Sequence, residues 1–229
     1  MTAPSIRARV RAEMIDEIKA IARQHLAADG ANLSLRAVAR DLGMVSSAVY
    51  RYFPSRDELL TALIIDAYDA LGAAVEAADA GTTPDDLRGR WHGVFRAARR
   101  WALDNPAEYA LIYGSPVPGY AAPRDTVEPA QRPPVVLVGI LRDGFTSGQV
   151  TPPPADELSD PVRADLAAIS DLIAPGLPEA LLARGMAAWT QLFGLISFEI
   201  FGRLNNGLDH RDEYFDHQTR LMADLVGLP

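Results

Sequence analysis

The side chains best suited to binding another molecule lie in one short segment, residues 34–53, which is rich in serine, arginine and tyrosine. Ala39, Gly43 and Val49 stand at offsets of four and six within it. Two short helices that cross near a right angle need three things: a small residue where their backbones approach, a residue tolerant of positive φ in the turn, and an apolar anchor on the second helix. The spacing therefore predicts a helix-turn-helix that binds DNA, although an ordinary helical hairpin has the same pattern.

A second set of polar residues lies near the C-terminus, where His210, Glu213 and His217 stand at offsets of three and seven. This spacing is compatible with zinc ligation, so a helical enzyme or metal-binding protein is the alternative function. A solvated helix face explains the same residues. Cysteine is absent, which excludes disulfides, thiolate metal sites and cysteine nucleophiles. Because a glycine-rich phosphate loop and a nucleophile elbow are also missing, we expect no enzymatic activity, metal or cofactor.

Charge is divided unevenly along the 229 residues, whose net charge is −8. Residues 1–56 hold nine Lys/Arg and five Asp/Glu, for +4, whereas residues 57–229 hold thirteen and twenty-five, for −12. A basic end on an acidic chain suits a protein that touches DNA with one end only. The N-terminus lacks the apolar core of a signal peptide, and the longest apolar stretch, 185–202, contains Glu199. We therefore expect a cytoplasmic protein.

Apolar residues recur at helical spacing along the whole chain and strand patterns are nearly absent, so we predict an all-α fold. Three helix starts are signalled by Ser34, by the capping box of Ser55 and Glu58, and by Thr83 followed by Pro84. The predicted helices are 5–28, 35–42, 46–53, 55–80, 84–104, 106–113, 134–147, 161–174, 178–204 and 210–226. The proline-rich residues 115–134 are predicted to be mostly loop.

The residues that follow the helix-turn-helix form a more specific pattern. Residues 50–60 read Tyr-Arg-Tyr-Phe-Pro-Ser-Arg-Asp-Glu-Leu-Leu, and the region 10–64 resembles the TetR family of one-component regulators. Residues 90–95 (Arg-Trp-His-Gly-Val-Phe) and 105–113 look like the variable C-terminal domain named for its Trp-His-Gly motif. The resemblance implies a three-helix DNA-binding head and a larger helical domain for ligand binding and dimerisation.

Carried over to this sequence, the resemblance makes residues 46–52 the recognition helix. It implies phosphate contacts from Arg36, Tyr50, Tyr52 and Arg56. It implies contacts with base edges in the major groove from Ser46, Ser47, Ala48 and Arg51. Hydroxyl and guanidinium groups suit phosphate, and short side chains let a helix enter the groove deeply, although the two tyrosines could instead be packing residues. One position departs from the family pattern, because the residue that often caps the recognition helix as Ser or Thr is Val45.

Aromatic side chains recur in the middle of the chain. Trp91 and Phe95 share one face of a predicted helix, and Tyr109 and Tyr113 follow on the next. Such a stripe is either hydrophobic core or the wall of a ligand cavity, and a regulator of this family needs a cavity. We therefore predict that a small-molecule effector binds near these four residues. The three arginines within 96–100 suit either an anionic effector or a solvated face.

The helix predicted over 178–204 is apolar on nearly every side, and the last predicted helix carries two apolar stripes. A helix that is apolar all round must be covered all round, so one face can pack on the core and another on a second subunit. Together with the family resemblance, this predicts a homodimer joined by four helices. The predicted interface residues are Leu192, Leu195, Phe198, Phe215, Leu221, Met222 and Leu225.

These observations predict two domains, residues 1–54 for DNA binding and residues 55–229 for ligand sensing and dimerisation. The function expected from the resemblance is that of a transcriptional repressor, which binds a palindromic operator as a homodimer and is released by a ligand. A helical adaptor that binds only protein is a further alternative, but the basic N-terminal segment and residues 50–53 favour DNA.

Overall fold

The computed structural model describes residues 5–30, 32–152, 154 and 158–229, and these residues contain helices but no strand. The all-α prediction is confirmed. In chain order the helices are α1 (Ile6–Asp29), α2 (Leu35–Asp41), α3 (Ser46–Val49), α4 (Arg56–Ala80), α5 (Leu87–Asp104), α6 (Pro106–Tyr113), α7 (Val127–Thr146), α8 (Asp160–Ile173), α9 (Glu179–Ile200) and α10 (Arg211–Leu225). One turn of 3-10 helix, Arg124–Thr126, precedes α7.

The described residues form two compact units. The head unit contains the residues up to Ala67 together with Asn105–Val127, and the body unit contains Tyr68–Asp104 and Glu128–Pro229. The division falls inside α4, whereas the sequence suggests a boundary after residue 54. The first half of α4 belongs to the head because Leu59, Leu60 and Leu63 are buried in the head core.

Serine hydroxyls cap the start of three of the helices, and the caps at Ser34 and Ser55 are the ones that the sequence indicates. The Oγ atoms of Ser5 and Ser34 accept hydrogen bonds from backbone N–H groups three residues later, at 3.2 and 3.4 Å. The Oγ of Ser55 accepts one from the N–H of Glu58 at 3.1 Å. Each bond satisfies an N–H group that has no partner within its own helix, and so fixes where the helix starts.

Helix α5 begins at Leu87, three residues later than predicted from Thr83 and Pro84. The carboxylate of Asp86 caps it instead, accepting a hydrogen bond from the N–H of Gly89 at 2.8 Å. The carbonyl of Pro84 accepts a bond from Arg90 at 3.2 Å, so the preceding turn is tied to the helix that follows.

Helix α7 begins at Val127, although the prolines of this region predict a loop as far as 134. Pro133 and Pro134 lie inside the helix, where a proline removes a backbone donor and costs about 3 kcal/mol. The guanidinium of Arg132 binds the carboxylate of Glu76 through two hydrogen bonds of 2.8 and 2.7 Å, and binds Asp69 at 2.7 Å. Arg132 therefore joins α7 to α4 directly before the two prolines.

In the body unit, α5 packs against α9 and α10, and α8 packs against α9. The side chains of Trp91, Phe95, Leu141 and Leu181 are at most 1% exposed and form its centre. Although α9 is rich in apolar residues, no helix in the described part of the chain has the length and apolarity needed to cross a membrane.

Candidate nucleic-acid interface and ligand cavity

Helices α2 and α3 form the predicted helix-turn-helix. Ala39 and Val49 are fully buried, and Gly43 in the turn has φ +67°, a conformation that residues with a Cβ rarely adopt. The N–H of Met44 donates to the carbonyl of Ala39 at 2.8 Å, which closes the turn. The three spaced residues therefore have the roles that their spacing predicts.

The recognition segment is less helical than predicted, because α3 ends at Val49 and the chain continues to Phe53 in turns. The N–H groups of Arg51 and Tyr52 donate to carbonyls only three residues back. Pro54 follows, and a proline disfavours helical geometry in the residue before it. At the start of α3, Val45 makes no side-chain capping bond and is 72% exposed.

Most of the residues predicted to contact DNA are accessible on the head. Arg36, Ser47, Tyr50 and Arg51 are exposed, and Ser46, Tyr52 and Arg56 are half-buried. Ala48 is only 7% exposed because it faces inward beside Val49. Its predicted contact with a base edge has no support from this geometry, and we leave it out of the interface.

The structure adds one cation to this surface that the sequence reasoning missed. The guanidinium of Arg11, on α1, lies 5.1 Å from the ring centroid of Tyr52, and its Nη2 lies 3.5 Å from the carbonyl oxygen of Arg51. A cation over an aromatic face is attracted by the ring. The arginines at the start of α1 form the most basic stretch of the head, and this charge could have indicated that α1 contributes to the DNA-binding surface.

Ion pairs within the head fix the helices that carry this surface. Asp66, on α4, binds Lys19 at 2.9 Å and Arg23 at 2.6 Å, both on α1. The ring of His25 on α1 forms a hydrogen bond of 2.7 Å with Asp41 at the end of α2. This bond is the main cause that holds the pKa of Asp41 below its usual range.

The body unit contains an apolar cavity of about 210 Å³. It is lined by Trp91, Pro134, Leu137, Val138, Leu141, Ile169, Ile173, Leu182, Gly185, Met186 and Trp189. The indole N–H of Trp91 donates to the carbonyl of Thr219 at 3.3 Å. No lining side chain carries a charge, so the cavity can hold an apolar molecule.

Of the four predicted ligand residues, the structure brings only Trp91 to this cavity. The ring of Phe95 lies 4.6 Å from that of Trp91 and is buried in the core. Tyr109 and Tyr113 belong to the head unit, where their ring centroids are 5.3 Å apart. Most of the other lining residues come from α7 and α9, and the sequence analysis expects the apolar faces of α9 to cover the core and a second subunit rather than a cavity.

A more open and polar cleft of about 410 Å³ holds the three arginines of 96–100. Arg99 binds Glu199 through two bonds of 2.7 Å and Asp212 through a third. Arg96 binds Asp216 at 2.8 and 2.7 Å. The hydrogen bonds that both guanidinium groups donate to these carboxylates raise the pKa values of the two arginines. Because the cleft pairs these two guanidinium groups with carboxylates, it does not favour an anionic effector.

The predicted dimer residues divide by burial. Leu192 and Phe215 are 1% and 3% exposed and pack inside their own chain, so their burial gives no support to the predicted contact with a second subunit. Phe198 and Leu221 are 56% and 41% exposed. Leu195, Met222 and Leu225 are half-buried. Tyr214, which belongs to an apolar stripe of the last predicted helix, is also exposed, and so is Phe201, which the sequence reasoning missed.

The alternative zinc site gains no support. Within the described ranges, no three His, Cys, Asp or Glu side chains lie close enough together to hold a metal ion. His210 precedes the first residue of α10, so it does not share the regular helical spacing of Glu213 and His217.

Comparison with known proteins matches both parts of the chain. Residues 18–63 match a family model described as "Bacterial regulatory proteins, tetR family", and residues 91–222 match one described as "Tetracyclin repressor-like, C-terminal domain". The predicted Trp-His-Gly subtype stays a prediction. The HTH-type transcriptional regulator Rv1816 of Mycobacterium tuberculosis is 41% identical over 209 residues, which cover 89% of this chain and 88% of that protein.

Solved structures have the same architecture. The protein SCO4313 is 33% identical, with a TM-score of 0.79 over 97% of this chain and 100% of that chain. RolR, solved in complex with resorcinol, is 18% identical with a TM-score of 0.51 over 97% of this chain and 98% of that chain. A shorter match, 36% identical over 90 residues, is the HTH-type transcriptional repressor LfrR of Mycolicibacterium smegmatis; it covers 38% of this chain and 45% of that protein.

Proposed function

This chain belongs to the TetR family of DNA-binding transcriptional regulators, and from that premise we propose that it is a ligand-released repressor acting in the cytoplasm. In this proposal it binds a near-palindromic operator as a homodimer, and an effector in the body cavity lowers its affinity for that operator. The observation that carries the proposal is the combination of an accessible helix-turn-helix in the head with an uncharged cavity in the body.

Contacts with DNA are proposed from the exposed side of the head. Ser47 and Arg51 are exposed on or just after α3, where they suit hydrogen bonds to base edges in the major groove. Phosphate contacts are proposed from three residues: Tyr50 and Arg56, which are close to α3 in sequence, and Arg11, which lies over the ring of Tyr52. Contacts with phosphate oxygens position the protein along the DNA but do not read its base sequence. Arg36, Ser46 and Tyr52 complete the proposed interface.

A homodimer is proposed through α9 and α10. Phe198 and Leu221 are large apolar side chains exposed on these packed helices, and Phe201 and Tyr214, in the same part of the chain, are also exposed. Covering such a patch with its own copy gives a symmetric interface. Two heads related by this symmetry would contact half-sites about one helical turn apart, roughly 34–36 Å.

Effector control is proposed through α7, which lines the cavity with Leu137 and Val138 and is also tied to α4. Arg132 joins α7 to Asp69 and Glu76 on the body half of α4. A second tie uses Arg90, only 7% exposed, which binds Asp79 of α4 at 2.7 Å and Asp143 of α7 at 2.8 Å. Because α4 continues into the head, a ligand that moves α7 can change the spacing of the two recognition segments.

The proposal is tested with DNA from upstream of this gene and its neighbours. Footprinting should show a protected inverted repeat, and the protein should bind it as a dimer that an effector releases. An asymmetric half-site bound by a monomer would contradict the dimeric part of the proposal. Tighter binding in the presence of an effector would instead indicate a co-repressor or an activator.

A further inference from the structure

We propose that the body cavity selects an uncharged, apolar molecule about the size of one aromatic ring with a few carbon substituents. The inference rests on the proposed function, in which this cavity holds the effector. It adds the chemical class of that effector, which follows from the lining of the cavity, its volume and the rigidity of its walls.

The lining excludes charged ligands. Its side chains are hydrocarbon, thioether and indole groups, and the indole N–H of Trp91 is already bonded to the carbonyl of Thr219. A carboxylate or ammonium group inside would therefore lose its water without gaining a partner of opposite charge. Burial of an unpaired charge is strongly unfavourable, so any polar group of the ligand must lie at the opening.

The volume limits the ligand to a small molecule. An engineered apolar cavity of about 150 Å³ in another protein binds benzene. The cavity of about 210 Å³ is somewhat larger, so it has room for one ring and a few more carbon atoms. A long acyl chain or a fused polycyclic compound would not fit without movement of the walls.

Two indole rings give the cavity flat and rigid walls. Trp91 packs against Phe95 with ring centroids 4.6 Å apart, and Trp189 packs against Phe193 at 4.4 Å. Each indole therefore packs against a second aromatic ring, which limits its movement. Aromatic rings attract one another beyond the burial of their area, so a planar ring should bind better than a saturated ring of the same size.

Gly185 keeps part of the cavity open. A Cβ atom placed there would lie 2.9 Å from Cδ1 of Leu141, and both residues line the cavity. Any larger side chain at 185 must push Leu141 or occupy the space of the ligand. Gly139, on α7, is the matched position without this restriction, because a Cβ there meets nothing within 4 Å.

Binding can be measured without DNA from intrinsic fluorescence, since the chain has three tryptophans and two of them line the cavity. The purified full-length protein is titrated with p-xylene, with 4-methylbenzoate, with 4-methylbenzylammonium and with 1,4-dimethylcyclohexane. We expect saturable binding of p-xylene, binding at least about 100-fold weaker for both ions, and intermediate binding of the saturated ring. Binding of either ion as tight as that of p-xylene would overturn the inference.

Two pairs of variants locate the binding. Val138→Phe fills the cavity from α7, and Val135→Phe makes the same change three residues away at a side chain that is 41% exposed. We expect Val138→Phe to weaken p-xylene binding at least tenfold and Val135→Phe to leave it unchanged. If Val138→Phe lacks the helical circular dichroism of the wild type, the second pair replaces it. Gly185→Ala should then weaken p-xylene binding, and Gly139→Ala should leave it unchanged. Unchanged p-xylene binding in the folded lining variants would overturn the inference.

The outcome is separable from that of the proposed function. If p-xylene binds with this variant pattern but operator DNA is never released, the ligand class stands and ligand-released repression fails. If a charged compound releases DNA and p-xylene does not bind, repression stands and the ligand class fails.

Discussion

Replacing Arg56 with alanine tests the proposed phosphate contacts most directly. Arg56 begins α4 and lies close in sequence to Tyr50 and Tyr52 of the recognition segment. Each phosphate that a protein neutralises releases condensed counterions, so the affinity falls with salt in proportion to the number of such contacts. Removal of one contact should therefore change both the affinity and its dependence on salt.

The size of the effect follows from the symmetry of the proposed dimer. One contact adds about 0.9 to the slope of log K against log salt, so two symmetric copies add about 1.8. When salt rises fourfold, from about 50 to 200 mM, the wild type should lose about 12-fold more affinity than Arg56→Ala does. The ratio of wild-type affinity to Arg56→Ala affinity should therefore be about 12-fold smaller at 200 mM salt than at 50 mM salt.

Fluorescence anisotropy over a salt series, on the operator and on an unrelated duplex, measures this slope. Arg142→Ala is the matched control because it removes the same charge from an exposed position on α7 in the body. The deficit of Arg56→Ala should be equal on both duplexes, since phosphates carry no base identity. An unchanged slope together with an altered sequence preference would show that Arg56 contacts bases, and would refute the assignment.

Three further predictions concern the dimer, the coupling and the head. Phe198→Glu should give a monomer in analytical ultracentrifugation, because it buries a charge in the proposed interface; a stable dimer would place the interface elsewhere. Arg132→Met should retain p-xylene binding but lower the ratio of operator affinities without and with p-xylene from an expected 5- to 150-fold, because only the Arg90 tie between α7 and α4 remains; an undiminished ratio contradicts the α7 route. The pKa of Asp41 is lowered, mainly by its bond to His25, so this bond stabilises the fold above the ordinary value of 3.8 and is lost as pH falls below it. Asp41→Asn should therefore reduce the acid dependence of the urea midpoint, and equal pH profiles would exclude this contribution.

The sequence predicted the head well because its determinants are local. Gly43 indicates the turn, because glycine adopts positive φ readily. A capped helix start is indicated by a serine three residues before the N–H group that it binds. The exception, Ala48, shows the limit of transferred residue roles. Its position in the recognition segment was predicted correctly, but the direction of its side chain depends on how α3 packs on the head core.

The body was predicted less well because distant residues determine it. α7 runs through two prolines, and Arg132 next to them binds partners on α4 that lie more than fifty residues earlier in the chain, so local sequence alone does not predict this helix. Tyr109 was assigned to the sensor because it follows α5 in sequence, yet α6 packs against α1 in the head. For α9, apolar on every side, periodicity cannot tell the face that covers the core from the face left exposed.

The charge of the chain and the chemistry of the cavity together limit how an effector can act. Residues 57–229 carry −12, and Arg90, Arg99 and Arg132 are each held by two carboxylates, so this part of the chain repels phosphate. In the proposal, the attraction for DNA comes from residues 1–56, which carry +4. An uncharged effector leaves the electrostatic attraction between the head and DNA as it was, so it can weaken binding only to the extent that it prefers a different conformation. That requirement is why the ties from α7 to α4, rather than any charge near the cavity, must carry the coupling in this proposal.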